Sequence, residues 1–162
     1  MSCSSRFYKS FSWLVIPVLL ATPVLAHTVK VSGDVAATFH IEPGHNPIAG
    51  KPSLAWFALT RKGGQLIPLS QCNCRLEVYP IPQAENKATP LFKPALKTVN
   101  VEKYQGVMGA TLTFPKAGQY ELELKGTARS PATFKPFSLS YTVTVGGSGG
   151  GSGGGSGSMH HH

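Results

Sequence analysis

The chain has 162 residues and carries fifteen Lys and Arg against seven Asp and Glu, a formal net charge of +8. The cations are scattered, with no run or stripe beyond the Arg61-Lys62 pair, which speaks against a nucleic-acid-binding surface and leaves a mild attraction to anionic partners or membranes. There is no Gly-x-Ser-x-Gly, no His-Glu-x-x-His and no phosphate loop, so the common hydrolase, metalloprotease and nucleotide-binding signatures are missing.

Residues 1–26 read as a cleaved secretory signal. Arg6 and Lys9 form a positive start, Phe11 to Leu20 a short apolar core, and Val24-Leu25-Ala26 a cleavage site. Cys3 precedes the apolar core and is no lipid acceptor. An uncleaved membrane anchor is the alternative, against which the apolar stretch is short. The expected product is exported, to a periplasm, a lumen or the extracellular medium, with no stable membrane span after cleavage. Residues 146–162 read as an engineered Gly/Ser linker and His-tag remnant. Residues 27–145 remain, enough for one domain with its own core.

Period-two patterning covers most of that domain. Val35, Ala37, Phe39 and Ile41 alternate with smaller or polar neighbours. Ser53 to Thr60 is nearly continuous apolar chain, as in a central strand, and Arg61 to Gln65 is a turn. Cys74, Leu76 and Val78 alternate with Arg75, Glu77 and Tyr79. Pro80 to Pro94 carries four prolines and reads as a long surface loop. Further strands are expected at Leu96–Val101, Gly106–Phe114, Gln119–Leu124 and Phe137–Val145. No helical stripe competes. Seven or eight short strands with regular turns predict an all-β fold, an antiparallel immunoglobulin-like β-sandwich. Tyr120, just after the Gly118 turn, has the placement of a tyrosine corner. Trp56 is assigned to the core.

Ala49-Gly50-Lys51-Pro52 before a hydrophobic strand, the Gly63-Gly64 turn and the Phe114–Leu124 segment resemble the small secreted bacterial immunoglobulin-like domains of the YtkA-like and FixH-like kind. The pattern spans residues 34 to 145. An N-terminal His27 on such a fold also resembles the CopC-like copper-binding sandwiches. The resemblance implies copper handling or assembly of metal-containing membrane complexes. The chain departs from the CopC-like pattern in lacking a Met-rich copper(I) segment.

The histidines of the domain, His27, His40 and His45, all lie in its first nineteen residues. Cleavage after Ala26 would give His27 a free α-amine beside its imidazole. That amine titrates at roughly 7.7–8.0, so a metal displaces its proton at modest cost. Amine, ring nitrogen and a second imidazole would make a three-nitrogen histidine brace, a donor set suited to copper(II). Two hairpin registers are considered. A Ser32-Gly33-Asp34 turn pairs Val31 with Val35 and sets His27 and His40 side by side on opposite faces. A two-residue turn pairs Val31 with Asp34 and puts both histidines on one face. His45 follows Pro43-Gly44 on a segment able to fold back. Glu42 and Asp34 are candidate oxygen donors.

Cys72 and Cys74 are the only cysteines of the domain. They are open to three outcomes: a disulfide with each other, a dithiol holding a soft ion, or bridges to another chain. Glu121 and Glu123 read as solvated. Tyr79, Phe92, Tyr104 and Phe134 are either a partner surface or caps on the core. The leading reading is an exported metal-binding module, copper foremost, using His27. The alternatives are a non-catalytic protein-interaction or assembly domain with a structural Cys72–Cys74 pair, acting on another exported or membrane protein, and a copper oxidase or oxygenase built on the brace.

Overall fold

The structure, a computed structural model, describes residues 28–83, 89–131 and 133–148. Eight strands follow in order: β1 (Thr28–Ser32), β2 (Val35–Glu42), β3 (Pro52–Arg61), β4 (Cys72–Ile81), β5 (Lys97–Val101), β6 (Tyr104–Thr113), β7 (Gly118–Ala128) and β8 (Phe137–Val145). A single 3-10 turn, Leu69–Gln71, precedes β4. They form a five-stranded sheet in the order β1-β2-β3-β6-β5 and a three-stranded sheet in the order β4-β7-β8. Every ladder is antiparallel. The two sheets share one core, as expected of an immunoglobulin-like β-sandwich. β2 and β8 match the period-two reading, each with one face buried and the other more open, while the middle of β3 is buried on both faces, as its continuous apolar run requires.

The main core lies between the sheets. Val35, Ala37, Phe39 and Ile41 of β2 meet Ala55, Phe57 and Leu59 of β3 and Leu122, Leu124, Leu139 and Tyr141 of the small sheet. Phe39 stacks on Phe57 with ring centroids 5.1 Å apart and tilts against Tyr141 at 4.7 Å. Tyr141 donates a hydrogen bond to the Ala37 carbonyl at 3.1 Å, so one buried hydroxyl ties β8 to β2 across the sandwich. Burial raises its pKa above the ordinary tyrosine value.

A second apolar cluster lies on the outer face of the large sheet. Trp56, Ala58 and Val107 are buried there, with Leu54, Leu66, Val99, Val101 and Tyr104 against them. Trp56 is therefore core, but not of the sandwich interior. Its cross-strand partner on β6 is Gly109. A Cβ at 109 would stand 2.8 Å from a Val99 methyl and 3.3 Å from the Ala55 carbonyl, so only glycine fits this close approach.

The segment expected to be a featureless loop is partly structured. Val78 donates to the Phe92 carbonyl at 3.1 Å and Leu91 donates to the Val78 carbonyl at 2.7 Å. Part of the Pro80–Pro94 stretch thus returns to cover the free edge of β4, and Phe92 joins the core periphery. Prolines hid this because they interrupt alternation without preventing an isolated bridge. Beyond β8, Gly146 donates to Pro47 and accepts from Ala49, each at 2.9 Å.

The tyrosine corner is present: the Tyr120 hydroxyl donates to the Lys116 carbonyl at 2.9 Å. Tyr120→Phe removes this bond and leaves the ring's packing on Phe114 in place, at 4.8 Å. It should cost about 1 kcal/mol and lower the melting temperature by roughly 3–5 °C in a calorimetric scan.

Candidate functional site

The β1–β2 hairpin adopts neither register considered from sequence. Ser32 pairs with Val35, so the turn is Gly33-Asp34, with Gly33 at φ 64°. Glycine at the first position of a two-residue hairpin supplies the positive φ that such a turn needs. Val31 then faces Ala36, and Val29 faces Thr38. Both valines point to the outer side and are 69% and 59% exposed. The apolar matching expected across the pair fails, because on this edge strand a lysine takes the inward position. Lys30 faces Ala37, and its ammonium reaches the Ser140 carbonyl and stands 5.4 Å from the Tyr141 ring centroid. Its aliphatic stem covers the core rim while its charge satisfies the free edge of β8.

His40 belongs to the outer face of β2. Its cross-strand partner is Trp56, and the two rings stack at 5.2 Å with an interplanar angle of 23°. His40 is only 4% exposed. His45 folds back onto it. The His45 amide donates to the Ile41 carbonyl at 2.9 Å, and the residue holds φ 61°, an uncommon backbone region for a side chain larger than glycine. The His40 and His45 rings meet edge-on at 4.2 Å. His45 Nε2 is buried and makes no hydrogen bond among the described residues. His27 lies outside the described residues.

Of the expected oxygen donors, Glu42 ends β2 two residues from His40 and pairs with Leu54. Asp34 sits at the far end of the hairpin, where its Oδ1 accepts the Lys135 amide at 3.0 Å. No group of three or more His, Cys, Asp or Glu side chains able to hold a metal occurs among the described residues. Cys72 and Cys74 are joined to each other, Cα atoms 5.2 Å apart, with Cys72 fully buried. Neither sulfur is a thiolate donor in that state. Because the bridge closes only three residues, the loop-entropy model allows it ~1.6 kcal/mol of stabilisation, about half that of a 15-residue loop. Gly126 makes room for it, since a Cβ there would stand 2.7 Å from Cys72 Sγ and 2.6 Å from the Phe137 ring.

Sequence reasoning missed a charged cluster on the outer face of the small sheet. Glu77 and Glu123 are direct cross-strand partners and both are buried. Like charges so placed repel. Lys125 lies against both, 3.2 Å from Glu77 and 2.8 Å from Glu123. Lys93 stands 3.2 Å from Glu77, Arg75 stands 3.7 Å away, and the Tyr79 hydroxyl donates to Glu77 at 3.1 Å. Ser138 donates to Glu123 at 2.9 Å. Burial alone would raise the Glu77 pKa. The hydrogen bonds from Lys93, Lys125 and Tyr79 outweigh burial and lower it from 4.5 to about 2. The same contacts act on the partners: Glu123 chiefly raises the Lys125 pKa, and burial followed by Glu77 raises that of Tyr79. Glu123 is thus not solvated as expected. The neighbour that desolvates it, β4, is distant in sequence. Phe134 is buried and Phe92 and Tyr104 are partly so, each packed on one of the two apolar clusters, whereas Tyr79 is buried against Glu77 in the charged cluster.

No protein-family model matches the chain, and no curated protein matches it. The solved structures to which the chain is similar include two all-β examples. A DUF4426 family protein from Pseudomonas aeruginosa aligns at 9% identity and a TM-score of 0.45, covering 73% of this chain and 94% of its own. The Lin-41 filamin domain aligns at 12% identity and 0.40, covering 73% and 97%. No helix of the described residues is long and apolar enough to cross a membrane.

Two outcomes are expected of the charged cluster. Lys125→Met leaves two facing carboxylates short of their shared cation and should destabilise the domain by about 2–3 kcal/mol, below the usual cost of breaking a buried pair because Lys93 remains. Adding Glu123→Gln should recover most of that loss in urea unfolding. A depressed Glu77 pKa stabilises the fold above its unfolded value of 4.5, and this is lost as the pH falls toward 2. The contribution is at most ~3 kcal/mol, and unfolding of Glu77→Gln should show a shallower acid limb.

Proposed function

We propose that the domain binds a metal ion, copper(II) foremost, at the open end of the β1–β2 hairpin. The single observation behind this is the His40–His45 contact at 4.2 Å, with His45 Nε2 buried and unpartnered among the described residues. A buried nitrogen without a hydrogen bond is costly unless something takes its lone pair or proton. The hairpin register supports the third donor. The last described pair is Thr28 with Phe39. Continuing that ladder by one step would pair position 27 with His40. His27 would give amine and ring nitrogen, and His40 or His45 a further imidazole. Nitrogen donors of this kind suit copper(II) better than calcium or magnesium. Bound there, copper would supply Lewis acidity and a one-electron couple.

The reading carries no catalytic claim. A protein-interaction or assembly domain is the second reading, favoured by the immunoglobulin-like sandwich and by the exposed Val29 and Val31 on the edge strand. The likeness to YtkA-like, FixH-like and CopC-like domains, and export to a periplasm, lumen or extracellular space, belong to the proposal.

Trp56 makes the test direct. The chain's two tryptophans are Trp13 and Trp56, and only Trp56 lies within residues 27–145. Copper(II) bound by His40 would sit beside the stacked indole and quench its fluorescence. Protein beginning at His27 and freed of His160, His161 and His162 should show saturable quenching at sub-micromolar copper. One residue added before His27 should weaken binding by more than about tenfold, a loss of at least ~1.4 kcal/mol. His45→Ala should weaken it as well. Quenching that survives the added residue would defeat the role of the terminus, and no quenching at all leaves the interaction reading.

A further inference from the structure

At the other end of the same hairpin lies a groove of about 620 Å³. It is lined by the Gly33-Asp34 turn, by Arg61, Lys62 and Gly64 at the end of β3, and by Lys135. Three cations therefore face one carboxylate. That carboxylate is already engaged, since Asp34 Oδ1 accepts the Lys135 amide at 3.0 Å and the Asp34 carbonyl accepts the Lys62 amide at 3.0 Å. None of the three cationic side chains has a carboxylate within ion-pair distance among the described residues.

Arg61 is held in place by neutral partners. Its Nε donates to Gln65 Oε1 at 2.8 Å, Nη2 donates to the same oxygen, and Nη1 donates to the Thr133 carbonyl at 3.4 Å. A guanidinium has five N–H groups, so one remains on each terminal nitrogen. Two such donors on a fixed planar group match two oxygens of one anion. The groove also has an apolar wall. Val31 is exposed and lines it, and Val35 and Ala36 line it as well. Gly33 and Gly64 add no side chain to fill it, and both hold positive φ, at 64° and 82°.

We propose that this groove is an anion site for a phosphate ester carried on an apolar body. Arg61 takes two phosphate oxygens. Lys62 and Lys135 balance the second charge, and the apolar body lies along Val31. The same chemistry is offered by a free organophosphate and by a phospholipid headgroup, which the test separates. The site is independent of the histidines, so its failure would leave the copper reading untouched.

The probe is phenyl phosphate, titrated into 15N-labelled protein while the amides of Gly33, Gly64 and Lys135 are followed. Saturable shifts confined to those amides are expected, weaker at high salt, and phenol should give none. Arg61→Gln should weaken binding at least about fivefold. The double variant Lys62→Gln/Lys135→Gln, which removes none of the hydrogen bonds described for the turn, should do the same. Co-sedimentation with phosphatidylglycerol vesicles, lost in both variants, would identify a headgroup as the source; shifts without sedimentation would identify a free ester. Absence of a saturable shift, or shifts that both variants leave unchanged, overturns the proposal.

Discussion

The sandwich depends on one constraint along β2: Val35, Ala37, Phe39 and Ile41 must all leave water on the same side. A strand alternates strictly, so His40 has no choice but the outer face. On that face it meets Trp56, because the β2–β3 register that packs Phe39 on Phe57 also sets His40 opposite Trp56. The inner core therefore aims the histidine. Slipping the register by one residue would expose four apolar side chains and bury His40 in the sandwich, so the position of the ring is as secure as the core itself.

The edges are managed by different means. β1 is short and turns a lysine inward, and that lysine bonds the free edge of β8. Ser32 Oγ accepts the Ser138 amide at 3.4 Å on the same seam. Side chains, rather than a backbone ladder, close this side of the sandwich. The consequence is that Val29 and Val31 face solvent, although their sequence pattern matches a buried face. On the other side of the small sheet, β4 has its edge partly covered by Leu91 and Phe92. Both devices block strand addition by another chain without fusing the two sheets into a barrel.

Most of the fold was legible in the sequence, because alternation over five or more residues needs no knowledge of neighbours. β2, β4, β6, β7 and β8 are visible in this way, β3 shows itself instead as a nearly continuous apolar run, and the tyrosine corner lies within five residues of chain. What was not legible depends on pairing between distant segments. Glu123 looks like any strand glutamate until β4 brings Glu77 beside it and the two share Lys125. The hairpin register differs from both expectations, since matching valine to valine is not what sets it. That matching yields where an edge strand gains more from an inward lysine. Of the site, His40 and His45 were named from their clustering alone. Their ring contact was not foreseeable, since it depends on the positive φ of His45.

The two outer faces now differ in kind, and the difference bears on where a ligand would sit. The small sheet's outer face spends its polar groups on one another: Glu77, Glu123, Lys125, Tyr79 and Ser138 are mutually engaged. The large sheet's outer face instead carries a row of ring contacts: His45 edge-on to His40, His40 stacked on Trp56, and Trp56 tilted against Tyr104, with centroids 4.2, 5.2 and 5.4 Å apart. A ring packed between two others has few rotamers left, so the plane of the His40 imidazole is fixed before any ligand arrives. A metal would then pay little ordering cost at His40 and His45, and most of it at the chain terminus. On the proposed reading, affinity would be governed by how the first strand ends rather than by the rings behind it.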